Sequence, residues 1–212
     1  MSRVRCYVDG FNLFYGLKCA GLRDSYWLDV VELARKLAGP EELRGVSYFT
    51  SRVRREPAEA ERQSVYLDAL IDHDRARGTP FLSVHYGTFM RTTEKCRDCS
   101  SKRDHFREKQ SDVNLATELL TDGVRDLFDV AWLISGDADL TTPVRRVREL
   151  WPAKRVFVAF PPRRASKALR DAADRSVNLT AEILRHSLLP ERVVTPRGAT
   201  LERPPRWRGD PP

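Results

Sequence analysis

Acidic side chains follow two apolar runs of this sequence at the point where each run ends. Asp9 comes directly after residues 4–8, and Asp137 and Asp139 follow the apolar residues of LISGDADL. Asp112 lies at the start of a predicted helix that precedes the second of these runs. In an open parallel sheet the carboxyl ends of the strands form one edge, and ligands bind beyond it. We therefore expect these four acids to lie together at one edge of a sheet.

Four carboxylates at one edge are suited to a divalent cation. Carboxylates that are held together repel one another, and their pKa values rise unless a cation neutralises the charge. Hard oxygen ligands favour Mg²⁺ or Mn²⁺, which keep bound waters and bridge to phosphate. Such a metal lowers the pKa of a bound water and offsets charge on a scissile phosphate, so this chemistry requires no His or Lys base.

Helix capping is the alternative role for each of these acids. Aspartate commonly accepts hydrogen bonds from the free N–H groups at a helix N-terminus. Asp112 follows Ser111, the predicted cap of its helix, and could simply favour the helix dipole, whereas Asp139 could cap a helix that begins at Leu140. Capping is a sufficient explanation for any single acid. Four acids at one edge, two of them beside glycine in DG and SGD, favour a metal site.

The overall charge favours a polyanionic partner such as nucleic acid. The 212 residues include 37 Lys and Arg against 30 Asp and Glu, which gives a formal net charge of +7 and an isoelectric point near 9.5. Tyr15, Phe89 and Trp27 could stack on bases, although core packing is the favoured role of each.

The basic residues are grouped after predicted strands, at residues 51–55, 90–95 and 161–167. They should surround the same edge as the acids, where they would bind a phosphate backbone. A solvated charged rim is the alternative for any single group. The predicted substrate-binding residues are Arg52, Arg54, Arg91, Lys109, Arg163 and Arg164.

Two of the four cysteines form a CxxC motif. Cys96 and Cys99 stand in a polar, basic segment, and His105 follows six residues later. CxxC is half of a structural zinc site, with His105 as third ligand and His85, a partner subunit or water as the fourth. A reduced or redox-sensitive pair is the alternative, because four cysteines are too few for a disulfide scaffold.

Predicted strands and helices alternate along the chain. Strands are expected at residues 3–8, 46–53, 81–90, 130–134 and 156–160, and helices at 27–37, 57–78, 111–123, 140–150 and from about 165. This alternation predicts a parallel sheet covered by helices on both faces, in an α/β sandwich.

The chain is expected to form one domain and a tail. The domain spans residues 1–186 and carries a small CxxC-bearing insertion at about 91–109, and residues 187–212 form a Pro- and Arg-rich tail. The tail either packs on the domain through apolar residues at 188, 189, 193 and 194 or hangs free past Arg203. Without an apolar run of roughly 20 residues or a secretory leader at the start, the sequence predicts a cytoplasmic protein with no membrane partner.

Three motifs together resemble the NYN domain, the LabA-like branch of the PIN-like nucleases. They are YVDGFNLFYGL, EKQSDVNLATELLTDG and LISGDADLTTPVRRVRE, and the resemblance runs from about Arg3 to Leu184. It implies a PIN-like, Rossmann-like three-layer sandwich with a central, mainly parallel sheet. It also implies an enzyme that hydrolyses phosphodiester bonds with Mg²⁺ or Mn²⁺, most often in RNA.

The resemblance assigns a role to each acidic position. Asp9, Asp112 and Asp137 would hold the catalytic metal, Asp139 would be a further ligand or position a water, and Asn12 would orient a ligand or the substrate. The chain departs from broader PIN-like patterns in the first helical region, where Asp24, Asp29 and Glu32 are only candidate acids.

These features predict a metal-dependent nuclease, acting as an endoribonuclease or as a structure-selective nuclease. The alternative is an RNA-binding or regulatory scaffold with the same fold and little turnover. Phosphatases with an aspartate nucleophile require D-x-D after the first strand, where this chain has Phe11 at the second position. The expected partners are nucleic acid, RNA in preference to DNA, and, in a homodimer, a second copy of the chain.

Overall fold

The computed structural model describes residues 1–53, 56–95 and 102–208, with the chain path alone given for residues 89–95 and 102–108. Ten strands and seven α-helices are formed by these residues, together with three short 3₁₀ helices. The strands are β1 (Arg3–Asp9), β2 (Glu42–Thr50), β3 (Leu82–Tyr86), β4 (Thr88–Lys95), β5 (Lys102–Lys109), β6 (Val130–Ile134), β7 (Arg155–Phe160), β8 (Arg175–Asn178), β9 (Arg192–Val194) and β10 (Thr200–Glu202). The α-helices are α1 (Gly10–Cys19), α2 (Val30–Ala38), α3 (Pro57–Arg75), α4 (Ser111–Val124), α5 (Thr141–Leu150), α6 (Lys167–Ala172) and α7 (Ala181–Arg185), and the 3₁₀ helices are Arg23–Trp27, Ala138–Leu140 and Pro205–Trp207.

Six strands form the central sheet, in the order β3-β2-β1-β6-β7-β8. Every neighbouring pair in this sheet is parallel. The register places Val8 of β1 opposite Ile134 of β6 and Asp9 opposite Phe49 of β2. The carboxyl ends of the three central strands are therefore level, and the residues that follow them meet at one edge.

Helices cover both faces of the sheet. One core is formed with α1, α2, α3 and α7, and the other with α4, α5 and α6. Alternate residues of β1 point into different cores, since Val8 packs in the first and Tyr7 in the second. The fold is therefore the expected three-layer α/β sandwich, with a central parallel sheet between two layers of helices.

Several predicted boundaries differ from the structure. The strand predicted at residues 81–90 is two elements, because Gly87 separates β3 of the central sheet from β4, which pairs with β5 in an antiparallel hairpin. The helix predicted from residue 27 begins at Val30. Asp29 starts it by accepting hydrogen bonds from two backbone N–H groups of its first turn, and Trp27 lies buried in the preceding 3₁₀ helix.

The tail packs on the domain as far as the structure describes it. Leu189 and Val193 belong to the first core, and β9 pairs with β10. Arg203 is buried, where its guanidinium group donates to Glu191 Oε1 at 2.7 Å and to main-chain oxygens. Val194, a predicted packing residue, is instead exposed. No α-helix within the described ranges has both the length and the apolar composition needed to cross a bilayer.

Candidate acidic active site

Asp9 is the buried centre of the site, with 4% of its surface exposed. It is the N-cap of α1, where its Oδ1 accepts a hydrogen bond from the Asn12 N–H at 3.0 Å. Its other oxygen, Oδ2, accepts from the Ser135 hydroxyl at 2.8 Å. Burial raises the pKa of the Asp9 carboxyl from 3.8 to about 6, the two hydrogen bonds oppose this rise, and the carboxylates of Asp112 and Asp137 add to it. The acids of two other segments thus act on this one carboxyl.

Ser135 connects Asp9 to the next strand end. Its buried hydroxyl donates to Asp9 and accepts from the Asp137 N–H at 3.1 Å. Asn12 makes a second connection, since its Oδ1 accepts from the Gly136 N–H at 3.0 Å. No role for Ser135 is predicted from the sequence. The signal that could have indicated a role for Ser135 is its position in SGD, directly after the predicted strand.

Asp137 lies at this edge and also caps the short 3₁₀ helix that follows it. Its Oδ1 accepts from the Asp139 N–H at 3.0 Å. Asp137 and Asp9 therefore both cap a helix, and each uses its Oδ1 atom to accept the capping hydrogen bond. Asp139 is exposed and is not the cap before Leu140 that the sequence suggested.

Asp112 reaches the edge from the opposite side of the fold, in the first turn of α4. Its side chain is half-buried and close enough to Asp9 to raise the pKa of that carboxyl. Ser111 was predicted to cap this helix, but it is the first residue of the helix and is buried. The capping position belongs to Gln110, whose φ of 81° lies in the left-handed region.

Carboxylate oxygens, the donors gathered at this edge, are ligands of the kind that divalent cations such as Mg²⁺ and Mn²⁺ prefer. Burial and the nearby carboxylates of Asp112 and Asp137 raise the pKa of Asp9 by more than its two hydrogen bonds lower it, and a divalent cation would oppose this rise. In the described part of the chain, no three His, Cys, Asp or Glu residues are placed to hold a metal ion. Asp9, Asp112 and Asp137 are the residues that would hold one.

The loop after β7 lies against the acidic edge. A Cβ atom on Gly136 would stand 1.6 Å from the Arg164 carbonyl oxygen, so no other residue fits there without moving this loop. Arg163 is exposed and has a φ of 59°, and the guanidinium of half-buried Arg164 lies 5.9 Å from the ring centroid of Tyr15. The loop that carries two of the predicted substrate-binding residues therefore lies against the acidic edge.

The other predicted basic residues have different positions. Arg52 is exposed, lies over the Tyr86 ring and donates to the Tyr86 hydroxyl at 3.2 Å. Lys109 is exposed at the end of β5, just before α4. Arg91 lies in β4, where the structure gives only the chain path, and Arg54 lies outside the described residues.

The predicted zinc ligands are not brought together by anything the structure describes. Cys96 and Cys99 lie outside the described residues. His105 lies in β5, opposite Thr92 of β4, so the candidate segment belongs to a hairpin. His85, a possible fourth ligand, stacks on Phe49 within the central sheet. The zinc site stays a prediction.

A cavity of about 460 Å³ opens next to the acidic edge, between α1, α3 and the tail. It begins at Gly10, the residue after Asp9, and includes Thr50 at the end of β2. Tyr15 lines it and is 45% exposed, so the core role favoured for Tyr15 is wrong, whereas Trp27 is a core residue as expected. The lining combines aromatic rings with cationic side chains: Phe14, Tyr15, Tyr26, Tyr48, Tyr66 and Trp207, with Lys18, Arg23, Arg62 and Arg206.

The sequence model of the NYN domain matches residues 3–180, which includes every acid of the site. The chain belongs to the NYN domain family. This family is part of the PIN-like nuclease superfamily, whose members generally use divalent metals. The match ends before β9, β10 and the last 3₁₀ helix, so this NYN domain has a packed tail beyond the matched region.

Two individual proteins are similar to this NYN domain. One is 6-hydroxy-3-succinoylpyridine 3-monooxygenase HspA of Pseudomonas putida, which is 24% identical over an alignment of 246 residues, gaps included. The alignment covers 99% of this chain and 76% of that protein. The other is VPA0982 of Vibrio parahaemolyticus, a protein of unknown function with a crystal structure. It superposes with a TM-score of 0.53 at 22% identity, covering 84% of this chain and 93% of that one, and supports the fold.

Proposed function

We propose that this NYN domain is a metal-dependent endoribonuclease that hydrolyses RNA at the acidic edge. The observation that carries the proposal is the buried Asp9 carboxyl, whose pKa of about 6 reflects burial and the charges of Asp112 and Asp137. A folded protein retains such an arrangement at a cost in stability, and groups with perturbed pKa values concentrate at functional sites. Membership of a nuclease superfamily supports the same function.

Each group at the edge has a role in this proposal. Asp9, Asp112 and Asp137 would hold Mg²⁺ or Mn²⁺, with Asp139 at its exposed side. When bound, the ion would lower the pKa of a water and offset charge on the scissile phosphate. Asn12 keeps the end of β6 in place through its hydrogen bond from the Gly136 N–H. The sugar–phosphate backbone would be held by the predicted basic residues, which are Arg163 and Arg164 on the loop against this edge, together with Arg52, Arg54, Arg91 and Lys109.

The second candidate is an RNA-binding or regulatory protein with little turnover. It is favoured by the finding that, among the described residues, no three ligands are placed to hold a metal ion. It requires the same nucleic-acid surface but no cleavage. A protein that binds RNA and leaves it intact with every metal would support this candidate.

A small aromatic acid is a different kind of substrate. The name of the Pseudomonas relative gives 6-hydroxy-3-succinoylpyridine, an aromatic ring with an acidic side chain. Such a molecule would fit the cavity with aromatic and cationic lining. Direct binding measurements separate small acids from nucleotides as its occupants.

The decisive experiment compares cleavage with binding. Labelled RNA and DNA are incubated with the parent, Asp137→Asn and, as a matched control, Asp171→Asn, an exposed acid on α6. Each is tested with Mg²⁺, Mn²⁺ or EDTA, and binding is measured separately in EDTA by fluorescence anisotropy. Asp137→Asn should reduce cleavage by orders of magnitude and leave binding unchanged or tighter, because a ligand charge is lost while the basic residues remain.

The variants also control for contaminating nucleases, since all are purified in the same way. Equal cleavage by the parent and Asp137→Asn would refute the nuclease proposal. If Asp137→Asn lost binding as well, Asp137 would be a structural residue.

A further inference from the structure

The cavity beside Asp9 has more exposed aromatic surface than core packing explains. Phe14 and Tyr15 line its mouth and are 36% and 45% exposed. Tyr26, half-buried, stands behind them, with its ring centroid 4.9 Å from that of Phe14. Exposed rings on consecutive positions of a helix provide faces on which a planar ligand can stack.

The tail supplies one wall of this cavity. Trp207 makes ring contacts with Tyr26, Trp27 and Tyr66, at centroid distances between 5.8 and 6.4 Å. Buried Arg203 holds the chain in place by donating to the Trp207 carbonyl oxygen at 2.8 Å. The wall therefore consists of residues that lie beyond the matched NYN region.

The charge of the cavity is positive. Lys18, Arg23, Arg62 and Arg206 line it together with one acid, Glu59. None of the four cations forms an ion pair with another residue in the described ranges. The buried phenol of Tyr48 stays neutral, because burial first and the charge of Asp9 second raise its pKa. An aromatic molecule that carries negative charge is the ligand suited to this lining.

The cavity and the acidic edge are continuous. Gly10 lines the cavity and follows Asp9 directly, and the Asp9 charge acts on the Tyr48 phenol. On the other side, Arg164 stands over Tyr15 and its carbonyl oxygen lies against Gly136. A chain with its phosphate at the acids could therefore place an adjoining ring in the cavity.

We propose that this cavity is a base-binding subsite for the nucleotide next to the scissile phosphate. The base would stack on the rings, and the cations would hold the phosphate attached to that nucleotide. Four cations are more than a single carboxylate group requires, whereas a nucleotide also carries a phosphate. The aromatic lining also continues to Tyr15 beneath Arg164, on the side of the acidic edge. Both observations favour a nucleotide over a small aromatic acid. The subsite rests on the proposed function, since it takes part of the same substrate.

The test measures binding of small ligands to the full chain by calorimetry in EDTA. The ligands are adenosine 5′-monophosphate, uridine 5′-monophosphate, ribose 5-phosphate and pyridine-3-carboxylate. Both nucleotides should bind, and ribose 5-phosphate should bind at least about tenfold more weakly, because it cannot stack. Tyr15→Ala and Arg62→Ala should each raise the Kd for the nucleotides by about tenfold.

Two variants serve as matched controls. Tyr15→Phe keeps the ring and should keep the affinity. Arg44→Ala removes an exposed Arg at the start of β2, at the opposite edge of the sheet, and should change nothing. Melting temperatures confirm that each variant folds, and Tyr15 is exposed enough for its replacement to be tolerated.

Equal binding of ribose 5-phosphate and the nucleotides would overturn the subsite. So would an unchanged Kd in both Tyr15→Ala and Arg62→Ala, or tighter binding of pyridine-3-carboxylate than of either nucleotide. Cleavage is scored separately, so the two proposals fail independently. A parent that binds nucleotides but never cuts RNA refutes the nuclease alone, and one that cuts RNA without binding nucleotides refutes the subsite alone.

Discussion

Replacing Asp9 with Asn should make the metal-free protein more stable at neutral pH. The carboxyl has a pKa of about 6 in the folded protein against 3.8 ordinarily, so the folded chain binds this proton more tightly than the unfolded chain does. Its contribution to stability is therefore fully present below pH 3.8, is lost as the pH rises towards 6, and stays lost above that. The difference corresponds to about 3 kcal/mol.

The amide can replace the carboxylate with little loss of hydrogen bonding. Its oxygen can accept from the Asn12 N–H, and its NH₂ group can donate to the Ser135 hydroxyl, which reverses the bond now present at 2.8 Å. We expect the free energy of unfolding to rise by about 1–3 kcal/mol near pH 7.5, with no gain near pH 4. In a chain of 212 residues, each kcal/mol shifts the Tm by roughly 2–4 °C.

The measurement is thermal unfolding followed by circular dichroism between pH 4 and 8, with EDTA and then with millimolar Mn²⁺. Manganese should raise the Tm of the parent, because it binds the folded state, and should raise that of Asp9→Asn much less. Asp9→Asn should therefore have the higher Tm in EDTA, and the parent should have the higher Tm with Mn²⁺. Asp171→Asn, an exposed acid, should follow the parent under both conditions.

A lower Tm for Asp9→Asn in EDTA near pH 7.5 would refute this reasoning, because it would show that the ionised carboxylate is a satisfied structural group. An equal gain from Mn²⁺ in both proteins would place the metal elsewhere.

Three further predictions concern the surroundings of the site. Ser135→Ala removes a hydrogen-bond donor from the Asp9 carboxylate. The pKa of Asp9 should therefore rise further, and the acidic limb of the pH–rate profile should move to higher pH. Arg163→Ala with Arg164→Ala should weaken RNA binding and reduce its log–log salt slope by up to about two, while cleavage at saturating RNA largely recovers; an unchanged slope would mean that neither contacts phosphate. Protein purified without added metal should contain nearly one zinc per chain by elemental analysis, and this zinc should be lost with Cys96→Ser and Cys99→Ser; its absence from the parent would leave the reduced or redox-sensitive pair.

Much of the fold could be predicted because periodicity and capping are local. The apolar runs before Asp9 and Asp137 are both strands, and they lie side by side as an α/β alternation requires. The helix predicted from Pro57 begins there, since proline suits the first helical turn. A local pattern cannot identify the partner of a strand, however. The strand predicted at residues 81–90 has the composition of one strand, yet only pairing with β2 and with β5 divides it at Gly87.

The acidic edge was predicted from strand ends alone, because parallel strands share the edge at which their carboxyl ends lie. Its internal connections were not. The hydrogen bond between Ser135 and Asp9 joins residues 126 positions apart, and it depends on the register of β1 with β6. Asp112 comes near Asp9 because α4 packs on the face of the sheet opposite α1 and its first turn reaches the same edge, a contact that no local signal specifies.

The tail shows the same division between sequence and tertiary structure. Its prolines predict little regular structure, because proline cannot donate a backbone hydrogen bond, yet the segment contains the short β9–β10 hairpin and a 3₁₀ helix. They do not indicate whether the segment packs. Packing was decided by distant residues: the aromatic rings that receive Trp207, and the carbonyl oxygen of Asp24 and carboxylate of Glu191 that accept from Arg203. The sequence by itself therefore determined which residues could do chemistry and at which edge, whereas the tertiary structure decided which of them touch and what cavity lies beside them, because contacts across the chain depend on how all the elements pack together.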